Sequence, residues 1–199
     1  MANHVYSNTT LKHSDPAEIQ KLHDLLIRWS DKDDYGLVSY LLDKEYKKED
    51  VDRNVMAEAI GAKWMTIEDM YVNEDENEIV LITTTAWGQP EELWGNLEEK
   101  GFTVEATYED EMPNFFGTYS STDGYENIDT SEMYEAIDET AENFESDIKE
   151  TGDYNSAMYE ECVDAAIKAI DDPVNDFNRE TIERLVENYL EFQELYVGE

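Results

Sequence analysis

Apolar and polar positions alternate at the start of the chain. Val5 to Leu11 mixes β-branched and polar residues with period two, the pattern of a half-buried strand. Ser14-Asp15-Pro16 then offers an N-cap with proline in the first turn. Ile19, Leu22, Leu25, Leu26 and Trp29 follow at helical spacing, so a first helix is expected to end near Asp31. Leu37 to Tyr46 predicts a second helix and Val55 to Ile60 a shorter third. From Lys63 the period changes. Trp64 to Val72 and Ile79 to Trp87 are β-rich runs around the turn-forming cluster Asn73-Glu74-Asp75-Glu76-Asn77, which predicts a hairpin. Pro90 to Lys100 reads as a helix with proline at its start and Gly101 at its end, followed by strands at Phe102 to Tyr108 and Phe115 to Ser120. Strand, helix, paired strands, helix and strand in this order form a split β-α-β arrangement.

After Gly124 the pattern is helical. Met133, Ile137, Ala141, Phe144 and Ile148 share one helix face. Met158, Val163, Ala166, Ile167 and Ile170 share a second, and Ile182, Leu185, Val186, Tyr189 and Leu190 a third. Thr151-Gly152-Asp153 and Asp171-Asp172-Pro173 supply the breaks. The expected organisation is α+β, with an α/β domain over residues 1–124 and an acidic helical region over 125–199 packed on it.

Charge changes this picture most. The 199 residues hold 50 Asp plus Glu against 14 Lys plus Arg, a formal charge of −36, whereas a magnitude of roughly 2–8 keeps a small domain soluble. Such a charge repels itself in the compact state, so its simplest use is attraction to a cationic partner, and nucleic acid and anionic membranes are poor partners. With 40% apolar and 12% aromatic residues the chain still has the material for a core. Residues 104–199 carry 28 acids and 4 bases, a net of −24, against −12 for residues 1–103. Within that half, Glu132, Glu135, Asp138, Glu139, Glu142 and Glu145 follow spacings of three and four along one predicted helix. Glu180, Glu183, Glu187, Glu191 and Glu194 recur at three and four along another. Each predicted helix therefore has a carboxylate row opposite its apolar stripe. One carboxylate per turn repeats at about 5.4 Å, and several rows side by side approach the phosphate density of duplex DNA, about one per 1.7 Å of axis. These eleven residues are the candidate partner-binding surface; a merely solvated acidic face is the competing reading.

Short stretches of the first 120 residues carry a family resemblance. They are Met1-Ala2-Asn3-His4-Val5-Tyr6-Ser7-Asn8, the helix after Asp15, Ile60-Gly61-Ala62-Lys63-Trp64, Thr84-Thr85-Ala86-Trp87-Gly88-Gln89-Pro90-Glu91, and Tyr108 to Gly117. In these the chain resembles the YubB ferredoxin-like family of phage and plasmid proteins. The resemblance implies a ferredoxin-like α/β sandwich and an origin on a phage or other mobile element, and it brings no catalytic residues. The long acidic helical C-terminus and Gly88-Gln89 depart from the family pattern.

Other chemistries find little support in the residues. Asp31-Lys32-Asp33-Asp34-Tyr35-Gly36 opens like a calcium loop, but its twelfth position is Leu42 where a bidentate Glu is required. His4, His13 and His23 lack partners at metal spacing. The single Cys162 lies in an apolar pattern and reads as a buried thiol, not a nucleophile. No phosphate-cradling glycine loop or nucleophile elbow is present. No cofactor and no metal are expected, and no enzymatic activity. Trp64, Trp87, Trp94, Phe115 and Phe116 are aromatic enough to line a ligand groove, but core packing is the expected role. With neither a leader pattern at Met1-Ala2-Asn3-His4-Val5 nor a run of about 20 apolar residues, a cytoplasmic protein is expected.

Together these readings point to a phage-encoded inhibitor that blocks a basic, nucleic-acid-binding host protein, such as a restriction or CRISPR-type defence complex, by DNA mimicry. An accessory ferredoxin-like module with incidental acidity is the alternative, and the oligomeric state is left open.

Overall fold

The computed structural model describes residues 3–29, 34–112, 114–144, 156–170 and 175–197, the side chains of residue 156 and of residues 192–197 excepted. The protein is α+β. Six strands, β1 (His4–Lys12), β2 (Lys63–Asn73), β3 (Glu78–Ala86), β4 (Thr103–Asp110), β5 (Phe115–Ser120) and β6 (Gly124–Asp129), form one sheet in the order β2-β3-β1-β4-β5-β6. Seven described α-helices accompany them: α1 (Pro16–Trp29), α2 (Gly36–Leu41), α3 (Arg53–Ile60), α4 (Glu91–Glu99), α5 (Ser131–Glu142), α6 (Ser156–Ala169) and α7 (Asp176–Val197). The chain divides into two compact units, residues 1–112 with 117–126, and residues 113–116 with 127–199.

In the first unit β1 is central, antiparallel to both β3 and β4, while β2 pairs antiparallel with the far side of β3. The period of two in β1 has its expected consequence. Val5, Ser7, Thr9 and Leu11 are buried, and their neighbours Tyr6 and Asn8 are exposed. The buried face carries Ile79, Leu81, Thr83 and Thr85 of β3 and Val104, Ala106 and Tyr108 of β4, opposite those β1 residues in register. Trp94 of α4 is fully buried and donates its indole N–H to Thr9 Oγ1 at 3.2 Å, which pins the helix to this face.

The helix ends follow local chemistry. Asp15 Oδ1 accepts the Ala17 N–H at 2.9 Å at the start of α1, and Asp52 Oδ1 accepts from Asn54 and Val55 to begin α3. Gly61 ends α3 at φ 81°, the left-handed cap that glycine adopts without a Cβ penalty. The second helix is shorter than the apolar pattern predicts: it stops at Leu41 instead of reaching Tyr46, because Asp43 turns the chain at φ 50° and the Lys44 N–H bonds back to the Ser39 carbonyl at 3.2 Å.

β6 was not expected. It follows β5 across the turn Ser121-Thr122-Asp123, where Ser120 Oγ accepts the Asp123 N–H at 2.9 Å and Gly124 takes φ 78°. Gly117 permits the close approach of the two strands, since a Cβ there would collide with the Glu126 carbonyl and with the Tyr108 hydroxyl. That hydroxyl donates to the Glu126 carbonyl at 3.3 Å.

In the second unit α5, α6 and α7 surround a separate apolar core. Phe116 and Ile128, from the ends of β5 and β6, join Met133 and Ile137 of α5, Cys162, Val163 and Ala166 of α6, and Ile182, Leu185, Val186 and Leu190 of α7. Each helix contributes the residues that its period placed on one face. Ile148 lies outside the described residues. None of the described helices is long and apolar enough to cross a membrane.

Candidate functional site

The apolar stripes turned toward this core oblige the carboxylates between them to point away. On α5, Glu132, Glu135, Asp138, Glu139 and Glu142 are all exposed. On α7, Glu180, Glu187 and Glu191 are exposed and Glu183 is half-buried. Glu145 lies outside the described residues, as does the side chain of Glu194, although α7 runs through its backbone. At about 1.5 Å per residue the 22 residues of α7 extend about 33 Å, close to one turn of duplex DNA.

Among the described residues, Asp138 and Glu183 of the rows are engaged. Asp138 Oδ1 accepts the Tyr189 hydroxyl at 2.7 Å, and the Tyr134 ring lies tilted against Tyr189 with centroids 4.9 Å apart, so these contacts join α5 to α7. Glu183 accepts Arg179 Nε at 2.9 Å, an i,i+4 pair that neutralises it locally, while its carbonyl accepts the Tyr159 hydroxyl of α6 at 3.1 Å. Glu183 therefore helps hold the bundle together and is the weakest member of the predicted row for meeting a partner.

The acidic field also acts on uncharged neighbours. Burial first, and then Glu183 and Glu187, raise the Tyr159 hydroxyl above its ordinary pKa. Burial, reinforced by Glu161, pushes the Cys162 thiol up to about 11. This free cysteine is buried and protonated at neutral pH, as the apolar pattern around it predicts. At the head of α5, Asp129 Oδ1 accepts the Ser131 hydroxyl at 2.5 Å and, with less effect, its N–H at 2.8 Å, which together lower the Asp129 pKa.

Further carboxylates lie outside the two predicted rows. Glu160, Glu161 and Asp164 of α6 are exposed, as is Asp176 at the start of α7. The four-residue spacings Glu160 to Asp164 and Asp176 to Glu180 were a usable signal. Each is a single pair, shorter than either predicted row.

The aromatic group divides in two. Trp94 and Phe116 are buried as expected, but Trp64 is 69% and Trp87 60% exposed, so core packing is wrong for both. Around Trp94, Tyr119 stacks at 5.1 Å between centroids, with Tyr108 and Tyr125 each at 6.1 Å. Residues 31–33 of the calcium-like hexad lie outside the described residues, and in its second half Asp34 Oδ1 accepts the Gly36 N–H at 2.7 Å in an ordinary turn. Among the described residues no group of three or more His, Cys, Asp or Glu is placed to hold a metal ion. His4 instead pairs with Glu111 at 2.8 Å.

Compared with family models, with curated proteins and with solved structures, the chain matches none.

Proposed function

We propose that this chain is a non-enzymatic acidic protein of a phage or other mobile element that captures a basic, nucleic-acid-binding host protein by presenting carboxylates where that protein expects phosphates. The observation that carries this reading is the outward exposure of Glu132, Glu135, Asp138, Glu139 and Glu142 on α5 and of Glu180, Glu187 and Glu191 on α7. The second unit holds 22 acids and 4 bases in 77 residues, a net of −18. Like charges one turn apart destabilise a helix by about 0.2–0.5 kcal/mol per pair, so their repetition is a cost that a cationic partner offsets. The resemblance of the first 120 residues to the YubB family supports the mobile-element origin. The strand order β2-β3-β1-β4, with α1 and α4 in the two crossovers, supports a ferredoxin-like sandwich for the first unit.

The test is capture of host proteins on the immobilised chain, followed by competition with duplex DNA at graded salt. Duplex DNA should displace the partner, and binding should weaken steadily as salt rises. Replacing Glu180, Glu187 and Glu191 together by Gln should weaken binding by about ten- to a hundredfold, at about 0.5–1 kcal/mol for each exposed pair. Capture that ignores both DNA and these substitutions favours the accessory module with incidental acidity.

A further inference from the structure

The two exposed indoles share an unusual backbone. Trp64 has φ 55° and Trp87 φ 75°, left-handed conformations that disfavour bulky side chains. Both flank the same register pair. Lys63 of β2 lies opposite Ala86 of β3, and the next aligned pair is Thr66 with Thr84, so Trp64 and Met65 together oppose the single Thr85. This bulge sends Met65 inward, 7% exposed, and leaves Trp64 outside. Trp87 follows Ala86 directly and is held by its N–H on the Asn3 carbonyl at 3.0 Å. The fold thus spends backbone strain to hold two large apolar side chains in solvent, where neither contributes to the core.

The surroundings say what these rings meet. Lys63 Nζ lies 5.7 Å from the Trp87 ring centroid, within the range of a cation–π contact, so the ring already presents its face to a cation. Carboxylates rim the same end of the sheet. Glu111, exposed, follows β4 with its N–H on the His4 carbonyl at 2.7 Å, and His4 is the register partner of Ala86; its carboxylate is already held by the His4 ring at 2.8 Å, so it adds negative field at this end without being a free acceptor. Glu92, exposed at the start of α4, packs its backbone so closely against Gly61 that a Cβ there would lie 2.7 Å from the Glu92 nitrogen. Aromatic faces beside carboxylates suit a planar cation and repel phosphate.

The geometry points to Trp64 and Trp87 as a docking site for an arginine side chain on a segment of a basic partner protein. The guanidinium stacks on an indole within the negative field of the exposed acids at this end of the sheet. Arginine is the fitting cation because its planar group stacks on the indole face, whereas an ammonium only duplicates what Lys63 supplies. This site is in the first unit and does not rest on the carboxylate rows of α5 and α7.

The experiment titrates tryptophan-free octa-arginine and octa-lysine peptides into the full chain by calorimetry at about 150 mM salt, where loose surface attraction is largely screened. Octa-arginine should bind about three- to tenfold more tightly than octa-lysine, the scale of exposed cation–π contacts. Replacing Trp64 and Trp87 together by Leu should bring that ratio to about one, and replacing both by Phe should keep part of it. Glu180→Gln with Glu187→Gln and Glu191→Gln should weaken both peptides and leave the ratio unchanged. Equal binding of the two peptides by the native chain overturns the proposal. So does a ratio that survives loss of both indoles in a variant whose circular dichroism is native. Dimerisation that disappears with the indoles, or preferential binding of a single-stranded oligonucleotide, assigns the patch to another occupant and overturns it equally.

Discussion

The two units carry the same net charge and use it differently. The first has 28 acids and 10 bases in 122 residues and the second 22 acids and 4 bases in 77, so each sums to −18. In the first, bases are interleaved. Lys12 pairs with Glu78 at 3.1 Å, Lys21 with Glu18 at 3.2 Å, and Lys100 with Asp43 at 2.6 Å. In the second, carboxylates follow one another along helices whose other faces are committed to the core. Net charge alone would rank the units as equals. Its arrangement separates a locally compensated surface from one left open to an external cation.

The comparison breaks most sharply at the core of the first unit. Trp94→Ala removes a fully buried indole, its bond to Thr9 and the stacking partner of Tyr119, and should cost about 3–5 kcal/mol in urea denaturation. Alkaline pH sharpens the comparison next. Burial leads the shift at each of four tyrosines in the first unit, aided at Tyr40 and Tyr119 by bonds to Glu18 and Glu98. Tyr119 is raised to about 12, and Tyr40, Tyr108 and Tyr125 also lie above the ordinary phenol value. A folded pKa raised in this way contributes stability that is present below about pH 10, the unfolded value, and is lost as pH climbs through the folded value. Phenolate absorbance should therefore rise in two stages, these four tyrosines ionising late and together with loss of near-ultraviolet dichroism. A single stage with the fold intact would contradict the raised values of these four groups.

The smallest effect tests the open surface. Glu180→Gln with Glu187→Gln and Glu191→Gln should raise stability by about 0.5–1 kcal/mol by relieving repulsion along α7. The gain should shrink as added salt screens the parent. A loss of stability would mean that these carboxylates already have partners within the chain.

Several elements were legible because local chemistry and tertiary packing agree on them. The stripe Ile19, Leu22, Leu25 and Leu26 predicts α1, and all four are buried. Pro90 and Gly101 bracket α4, and the alternation in β1 survives intact as its two faces. β6 escaped notice because Tyr125-Glu126-Asn127-Ile128-Asp129 has little β-propensity. It is held instead by pairing with β5 and by the space at Gly117. Of the candidate surface, the exposure of the rows follows from periodicity. The engagement of Asp138 with Tyr189 and of Glu183 with Arg179 needs neighbours that periodicity does not place.

By itself, then, the sequence determined the order of most elements, the apolar faces of α5, α6 and α7, the buried state of Cys162 and the outward direction of the acid. These depend on residues within a turn or two of one another. Only the tertiary structure decided which carboxylates are shared with Tyr189 and Arg179, that β5 and β6 lend Phe116 and Ile128 to the helical core, and that Trp64 and Trp87 stand in solvent. The last outcome turns on a bulge in the pairing of β2 with β3. Pairing register is a property of two strands together, which a one-dimensional pattern of hydrophobicity does not contain.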